Sequence, residues 1–238
     1  MPRAPPASYA PPPMPSRPAP RLAAVLIAAL TALTLAACGG DDGTESTSAE
    51  LPAGCQDAQA PARKRVDLKP PGRAVGEGQS PVASVKTSCG TFEIALDAKR
   101  APKTVSSFIH LSREGVYDDT IFHRIVPGFV IQGGDPLGTG RGGPGYSVDE
   151  PPPTNLQYTR GTVAMVKTGF EPPGASGSQF FVVTAADAGL PPNYALLGKL
   201  SSGEDVVDRI SKLGDPSSGD EGTPLAPVVI RTITVKEG

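Results

Sequence analysis

The region after residue 80 begins with two short runs in which apolar and polar residues alternate. The runs cover residues 84–87 and 91–96, with Cys89 and Gly90 between them. Successive side chains of a strand point to opposite faces, so alternation of this kind is typical of strands with one buried face. The pattern predicts a β-hairpin at the start of a folded domain.

Two later segments carry apolar residues at helical spacing. The first covers residues 101–115, with Pro102 in its first turn and Gly115 at its end, and the second covers residues 204–213, with Gly214 after it. The apolar faces consist of Val105, Phe108 and Ile109 in the first segment and Val206, Val207, Ile210 and Leu213 in the second. We predict two amphipathic helices.

Most other apolar runs have the length of strands. They cover residues 121–126, 129–133, 162–166, 179–184, 195–200 and 228–235. Strands and helices do not alternate regularly, so a parallel sheet is not indicated. Many short strands with only two helices favour a closed antiparallel barrel whose open ends the helices cap.

The N-terminus carries the pattern of an export signal. Arginines precede an uncharged, alanine-rich run over residues 22–37, which is short for a membrane-spanning helix. The run ends in the sequence LAAC at residues 35–38, which resembles a bacterial lipobox. In such signals the cysteine receives a diacylglyceryl group and becomes the new N-terminus. We expect lipid on Cys38 to anchor the exported protein to the extracytoplasmic side of the cell membrane. An ordinary cleaved signal and an uncleaved anchor are the alternatives.

Residues 38–80 are predicted to form a lipidated, flexible stalk. They are rich in Gly, Asp, Ser, Thr, Pro and Ala, and they contain few apolar residues. Cys55 lies in this stretch, and Cys89 lies where the folded part begins. Outside the cytoplasm, two remaining cysteines suggest a disulfide. Two free thiols are the alternative.

The composition limits the number of domains and the kinds of partner. The chain has 238 residues, 28 Pro and 28 Gly, and much of the Pro lies in the first 20 residues, so we expect one folded domain at residues 81–238. A net charge of -2 and the lack of a basic, aromatic cluster argue against nucleic acid as a partner. We expect a monomer. With two histidines and no Cys or carboxylate cluster, neither a metal nor a cofactor is expected.

Several motifs are similar to those of one known family. The segment FHRIVPGFVIQGGD at residues 122–135 closely resembles the signature of cyclophilins, and GSQFF at residues 177–181 resembles their second block. Further similarity lies in APKTV at 101–105, GTGRGGPG at 138–145, GTVAM at 161–165 and LGK at 197–199. The resemblance covers the whole folded part. It implies a closed eight-stranded antiparallel β-barrel capped by two α-helices, with peptidyl-prolyl cis/trans isomerase activity.

The implied chemistry is rotation about the peptide bond before proline. Its barrier is about 18–20 kcal/mol, because twisting the bond abolishes amide resonance and leaves a basic lone pair on nitrogen. Arg124 matches the family's catalytic arginine, whose planar group stays charged and offers several donors. Gln132 matches the residue that binds substrate backbone and orients this arginine, and Phe129 matches part of the proline pocket. Without the motif, Arg124 would be interpreted as a surface arginine paired with a carboxylate.

The resemblance also places a set of residues around the substrate. Some complete the proline pocket, and others line a groove for the residues that precede proline. The set is Val130, Met165, Val166, Lys167, Gln179, Phe181, Leu190 and Tyr194, the last at a position where the family commonly has His. Strand alternation places Gln179 and Phe181 on one face and Phe180 on the other. It also directs His123 away from Arg124, so His123 is interpreted as structural.

Two features leave the substrate and the role open. Residues 170–174 predict an altered loop beside the groove, so the preferred sequence around proline is not defined. The alternatives are a membrane-tethered module that binds Pro-containing segments and a tethered chaperone that holds unfolded exported chains, with isomerisation incidental in both. The preferred hypothesis is an isomerase that assists the folding of exported proteins outside the cytoplasm, with Pro-containing polypeptides as substrates.

Overall fold

The structure is a computed structural model that describes residues 51–72, 75 and 79–237. The predicted signal at residues 1–37 and the lipidation site at Cys38 lie outside the described residues. Within the described part, no helix is both long enough and apolar enough to span a membrane.

The described chain is mainly β. It forms eleven strands, two α-helices and one 3-10 helix. The strands are β1 (Val82–Thr87), β2 (Gly90–Leu96), β3 (Thr120–Ile121), β4 (Arg124–Val126), β5 (Val130–Gly133), β6 (Val148–Asp149), β7 (Thr162–Met165), β8 (Ala175–Ser176), β9 (Phe180–Val183), β10 (Leu196–Ser202) and β11 (Val229–Lys236). The helices are α1 (Pro102–Arg113) and α2 (Glu204–Ser211), and the 3-10 helix is Pro216–Glu221.

The predicted hairpin is confirmed. β1 and β2 pair antiparallel, with Val85 opposite Phe92 and Ala83 opposite Ile94. All four of these side chains are fully buried, while the alternate residues are partly or fully exposed. The alternation in the sequence therefore reports the buried face of this strand pair.

Both predicted helices are also present. α1 begins with Pro102, buries Val105, Phe108 and Ile109, and ends just before Gly115. Its first turn is capped from elsewhere in the chain, because the Glu150 carboxylate accepts from the backbone N–H groups of Lys103 (3.1 Å) and Thr104 (2.7 Å). α2 buries Val206, Val207 and Ile210 against the core.

The sheet differs from the predicted closed eight-stranded barrel. Nine strands form one antiparallel sheet in the order β3-β11-β1-β2-β10-β7-β9-β5-β4, and β6 pairs with β8 separately. The ladder ends at β3 and β4, which are separated in the chain only by Phe122 and His123. The run at 121–126 is thus two strands, because β3 pairs with β11 and β4 with β5. The result is a curled half-barrel sheet.

The core has two parts on opposite faces of the sheet. In the main core, the Phe180 ring lies edge-on to Phe108, Tyr117 and Phe122 at centroid distances of 5.8, 5.9 and 6.2 Å. On the other face, a smaller cluster contains Val130, Tyr158, Ala164, Phe181 and Val183. The adjacent residues Phe180 and Phe181 therefore serve different faces, as strand geometry requires.

Residues 51–72, which we call the N-terminal arm, lie against the domain. Backbone N–H groups of Gln56, Lys64 and Leu68 donate to the carbonyl oxygens of Ser88, Pro136 and Pro144 over 2.8, 2.9 and 2.7 Å. Leu51, Val66 and Leu68 pack against the main core. The prediction of a flexible stalk up to residue 80 is therefore wrong for the arm, and the folded unit begins before residue 81.

The arm is also linked covalently to the domain. Cys55 and Cys89 form a disulfide, which was one of the two alternatives left by the sequence. Arg209 of α2 covers this link, because its Nη1 donates to the Cys89 carbonyl over 2.7 Å. Gly54 lies against the same guanidinium, and a Cβ at that position would come within 3.0 Å of its central carbon.

Candidate active site

Four neighbouring strands place one row of side chains on the same face of the sheet. Arg124 of β4 is opposite Gln132 of β5, Gln132 is opposite Phe181 of β9, and Phe181 is opposite Ala164 of β7. The row therefore changes from charged to polar to apolar across the sheet.

A pocket of about 270 Å³ opens over this row. It is lined by Arg124, Phe129, Val130, Gln132, Val166, Lys167, Phe181, Leu190 and Tyr194. Apolar side chains form most of the wall, and we call this the prolyl pocket after the proline pocket that the resemblance implies. Every residue of this lining was predicted from the sequence as catalytic or substrate-binding.

Arg124 is held at the rim by two hydrogen bonds. Its Nε donates to the Asp220 carbonyl over 2.9 Å, and its Nη1 donates to Gln132 Oε1 over 3.3 Å. Its guanidinium carbon lies 5.8 Å from the centroid of the Phe129 ring, a distance typical of a cation–π contact. Burial lowers the pKa of Arg124, opposed by Asp220 and Tyr194, but an arginine remains a cation at any physiological pH.

The 3-10 helix is brought to Arg124 by a close backbone approach. Gly222 follows this helix with φ of 64°, and its carbonyl accepts from the Ile125 N–H over 2.7 Å. A Cβ at this position would lie 2.9 Å from Arg124 Cγ and 2.7 Å from Val126 Cγ2. Only glycine combines this backbone conformation with so little space.

A chain of side-chain amides fixes the orientation of Gln132. Its Nε2 donates to Gln179 Oε1 over 3.1 Å, and Gln179 Nε2 donates to the Gly142 carbonyl over 2.9 Å. Because Nε2 is used in this way, Oε1 faces Arg124. Gln179 thus supports Gln132 from behind and is not part of the lining of the prolyl pocket.

His123 lies closer to these side-chain amides than the sequence predicted. Its Nε2 lies 3.3 Å from Gln132 Nε2. Strand alternation does not apply to His123, because it lies between β3 and β4 and not inside a strand. Burial lowers the pKa of His123, and Arg124 lowers it further, while Asp135 acts in the opposite direction. A neutral ring can accept a hydrogen bond from the Gln132 amide.

Met165 is placed wrongly by the sequence prediction. It is fully buried in the main core, opposite Phe180, and does not line the prolyl pocket. Its neighbours Ala164 and Val166 belong to the pocket side, where Ala164 packs beside Phe181 and Val166 lines the pocket. Every residue of β7 is buried, so burial alone gives no alternation that would distinguish its faces.

Tyr158 is a supporting residue that sequence reasoning missed. Its hydroxyl donates to the Tyr194 carbonyl over 2.6 Å and accepts from the Tyr194 N–H over 3.0 Å. These bonds hold the segment that carries Leu190 and Tyr194, and the Tyr194 ring lies edge-on to Phe181 at 5.5 Å. Burial raises the pKa of Tyr158 to about 12, so the hydroxyl remains protonated. Tyr158 stands alone in a polar stretch, and no motif marks it.

A second cavity of about 480 Å³ is adjacent to the prolyl pocket, and Val166 and Lys167 line both. We call it the groove. Its other lining residues are at positions 140–147, 168, 171 and 177–179.

Asp135 organises the loop on one side of the groove. Its carboxylate accepts from the backbone N–H groups of Leu137, Thr139 and Arg141 over 2.7, 2.8 and 3.1 Å. Burial of Asp135 opposes ionisation, but backbone hydrogen bonds outweigh this effect and lower its pKa. The carboxylate therefore stays ionised and keeps the loop closed around it.

The site combines a cation held by hydrogen bonds with a largely apolar pocket. Among the described residues, no group of three or more His, Cys, Asp or Glu side chains could hold a metal ion. A fixed cation at the rim of an apolar pocket can stabilise a lone pair on a ring atom of a ligand when the rest of that ring lies in the pocket. Fold and site together define a class of β proteins that bind an apolar group beside a fixed cation.

Comparison with known proteins specifies the family. Residues 82–235 match the family model for cyclophilin type peptidyl-prolyl cis-trans isomerases. Peptidyl-prolyl cis-trans isomerase B of Streptomyces anulatus is 38% identical over 172 residues, which cover 65% of this chain and 95% of that protein. Peptidyl-prolyl cis-trans isomerase-like 2 of Cryptococcus neoformans is 38% identical over 162 residues, but the match spans only 27% of its length.

A solved structure agrees with these sequence matches. The crystal structure of a cyclophilin type peptidyl-prolyl cis-trans isomerase of Cryptosporidium parvum, determined in the presence of the dipeptide Ala-Pro, has a TM-score of 0.59 and 32% identity. The match covers 66% of this chain and 99% of the Cryptosporidium parvum chain. This chain belongs to the family of cyclophilin-type peptidyl-prolyl cis-trans isomerases, and its β domain is the isomerase domain.

Proposed function

We propose that this protein catalyses cis/trans rotation about X-Pro bonds in exported polypeptides and assists their folding outside the cytoplasm. The catalytic part of this proposal depends on one observation, the Arg124–Gln132 pair at the rim of the prolyl pocket. The solved relative studied with Ala-Pro supports proline-containing chains as the substrates.

The residues of the pocket have distinct tasks in this reaction. The pyrrolidine ring enters between Phe129, Phe181 and Leu190, and removal of its apolar surface from water contributes to binding. Arg124 donates to the prolyl nitrogen as the bond twists and its lone pair localises. Gln132 keeps the guanidinium in place, and the second lone pair of its Oε1 accepts from the neighbouring substrate backbone. The interaction with nitrogen strengthens only in the transition state, so it lowers the barrier.

The disulfide between Cys55 and Cys89 supports a location outside the cytoplasm. Disulfides persist in oxidising compartments and are rare where glutathione keeps thiols reduced. Uncatalysed X-Pro isomerisation takes tens of seconds and is slow compared with secretion and folding, so a catalyst outside the cytoplasm would assist exported chains.

The anchor is proposed to be a lipid on Cys38. A fully extended chain reaches about 3.5 Å per residue, so the connection from Cys38 to Leu51 could span at most about 45 Å. Because the arm lies on the domain from Leu51 onward, only this connection separates the lipid from the folded unit. The isomerase would then act on chains close to the membrane surface. We also propose that it acts as a monomer.

Lipid labelling tests the anchor. The full chain is expressed in a bacterium supplied with labelled palmitate, beside Cys38→Ser and, as a matched control, Cys55→Ser. We expect label and membrane association in the parent and in Cys55→Ser, and neither in Cys38→Ser. Label-free protein in the soluble fraction would indicate an ordinary cleaved signal. An N-terminal peptide that extends before residue 38 would indicate an uncleaved anchor. Either result contradicts the proposal.

Refolding tests the role in folding. The full-length protein is added to an exported polypeptide whose slow refolding phase is limited by an X-Pro bond. We expect the slow phase to accelerate in proportion to the amount added. A slow phase that does not change, or a reduced yield of folded product, would contradict a folding role and favour a binding module.

A further inference from the structure

Phe170 is an unusual surface residue. Its side chain is fully exposed, and in the described part of the chain the other exposed large hydrophobic side chain is Leu225, which is only about half exposed. An aromatic ring exposed to water lacks the stabilisation that burial would provide. A single exposed hydrophobic residue is common by itself, so what matters for Phe170 is its position next to a candidate binding site.

The backbone around Phe170 takes part in several hydrogen bonds. Phe170 is the third residue of a turn in which the Glu171 N–H donates to the Thr168 carbonyl over 3.4 Å. The Glu171 carboxylate accepts from the Thr168 N–H over 2.6 Å, and Lys167 Nζ donates to the Thr168 carbonyl over 2.7 Å. Two prolines follow, and the Gly174 N–H donates to the Asn193 carbonyl over 2.8 Å. The ring is therefore presented on an ordered turn.

The turn lies on the rim of the groove. Thr168 and Glu171, on either side of Phe170 in the turn, both line the groove, and Lys167 lines the groove and the prolyl pocket. Most other groove residues are glycines or polar residues. A polypeptide that extends from the prolyl pocket into the groove can therefore hydrogen-bond to polar groups there. An apolar side chain of that polypeptide can contact the exposed Phe170 ring at the edge of the groove.

We propose that Phe170 is a specificity-determining residue that contacts an apolar side chain of the substrate, a few residues away from the target proline. The preferred substrate class is then an extended chain with proline and an apolar residue close to it, as in an unfolded segment. This inference rests on the proposed isomerase function. Short peptides that fill only the prolyl pocket do not reach the ring.

Peptides of two lengths test this proposal with the full-length protein in detergent. One substrate is the tetrapeptide Ala-Ala-Pro-Ala. The other two are long peptides with the same Ala-Pro centre, flanked on both sides by Leu residues in one and by Ser residues in the other. The variants are Phe170→Ala, Phe170→Leu as the conservative change, and Leu225→Ala as a matched control at an exposed apolar site. Isomerisation rates and peptide binding are both measured.

We expect Phe170→Ala to lower kcat/KM for the Leu peptide about threefold to tenfold, mainly through KM. The change removes a ring that the bound peptide would partly cover. The tetrapeptide and the Ser peptide should react as before. Phe170→Leu should retain most of the preference, and Leu225→Ala all of it. Equal rates for the Leu and Ser peptides in the parent, or an equal loss on every substrate in Phe170→Ala, would overturn the proposal.

The two proposals fail in different ways. If the parent does not accelerate even the tetrapeptide, the isomerase function fails. In that case peptide binding still decides the role of Phe170. Tighter binding of the Leu peptide that disappears in Phe170→Ala supports it, and equal binding of the Leu and Ser peptides overturns it.

Discussion

Arg124 and Gln132 stand directly opposite each other in neighbouring antiparallel strands, and Nη1 of Arg124 donates to Oε1 of Gln132 over 3.3 Å. This pairing lets the fold set the direction of the guanidinium before a substrate arrives. A donor that is already in place needs no reorganisation during the reaction. In the proposed mechanism, the strand register is therefore part of the catalytic apparatus.

Gln132→Ala tests the value of this orientation. The change removes a hydrogen bond to a charged group and leaves the cation in place. We expect kcat/KM for an X-Pro peptide to fall about 10- to 100-fold, since such bonds contribute about 1.5–3 kcal/mol. Gln179→Ala removes the support behind Gln132 but leaves Gln132 and Arg124 themselves in place, so it should have a smaller effect in the same direction. Wild-type rates in Gln132→Ala would show that Arg124 does not depend on Gln132.

Tyr158→Phe tests the support of the pocket wall. It removes only the hydroxyl that bonds both to the Tyr194 carbonyl and to the Tyr194 N–H. We expect a loss of about 1–2 kcal/mol in the free energy of unfolding and a several-fold higher KM, with a smaller change in kcat. Urea unfolding and steady-state kinetics measure these effects.

Tyr117→Phe is the matched control for this change. Tyr117 is also fully buried, but its hydroxyl has no hydrogen-bond partner among the described residues. Its removal should not lower stability or raise KM. If both substitutions change KM equally, Tyr158 has no special role in positioning Tyr194.

Local sequence patterns predicted the first strand pair and both helices well. The β1–β2 hairpin and the faces of α1 and α2 follow from periodicity, because one face of each is buried and the other is not. Met165 shows the limit of this approach. Its strand is buried on both faces, so apolar residues occur without alternation and the pocket side cannot be distinguished.

Contacts between loops were not predictable in this way. The arm pairs its backbone with turns at Ser88, Pro136 and Pro144, and such pairing leaves no periodic signal in the sequence. Tyr158 likewise acts through the backbone of a residue far along the chain. The resemblance to cyclophilins identified the residues of the prolyl pocket but begins near residue 84, so the arm lies beyond its reach.

Lys64→Ala tests whether the arm stabilises the domain. Lys64 Nζ donates to the carbonyl oxygens of Gly115 (3.4 Å) and Asp118, just after the C-terminus of α1, where a positive charge is favourable. We expect a loss of about 1–2 kcal/mol in the free energy of unfolding. Arg65→Ala changes an exposed neighbour and should lose far less. Equal stability of the two variants would indicate that the arm contributes nothing through Lys64.

The disulfide should contribute more than any single contact of the arm. Cys55 and Cys89 are 34 residues apart, and closing a loop of this size stabilises the folded state by about 3–4 kcal/mol in the chain-entropy model. We expect Cys55→Ser/Cys89→Ser, made in a Cys38→Ser background, to unfold at a clearly lower urea concentration. A reductant should shift the parent to the same midpoint and leave the double variant unchanged. An insensitive parent midpoint would contradict a stabilising link.

Catalysis by Arg124 is the central claim, and the isomerisation rate of an X-Pro peptide with Arg124→Ala tests it most directly. Arg124→Lys keeps the charge without the planar set of donors, and Arg160→Ala removes an exposed arginine that pairs with Asp208. We predict a loss of at least about 100-fold in kcat/KM for Arg124→Ala, a smaller but clear loss for Arg124→Lys and parent activity for Arg160→Ala. Peptide binding and the unfolding midpoint should change little in all three. An Arg124→Ala variant that is folded and isomerises at the parent rate would contradict the account.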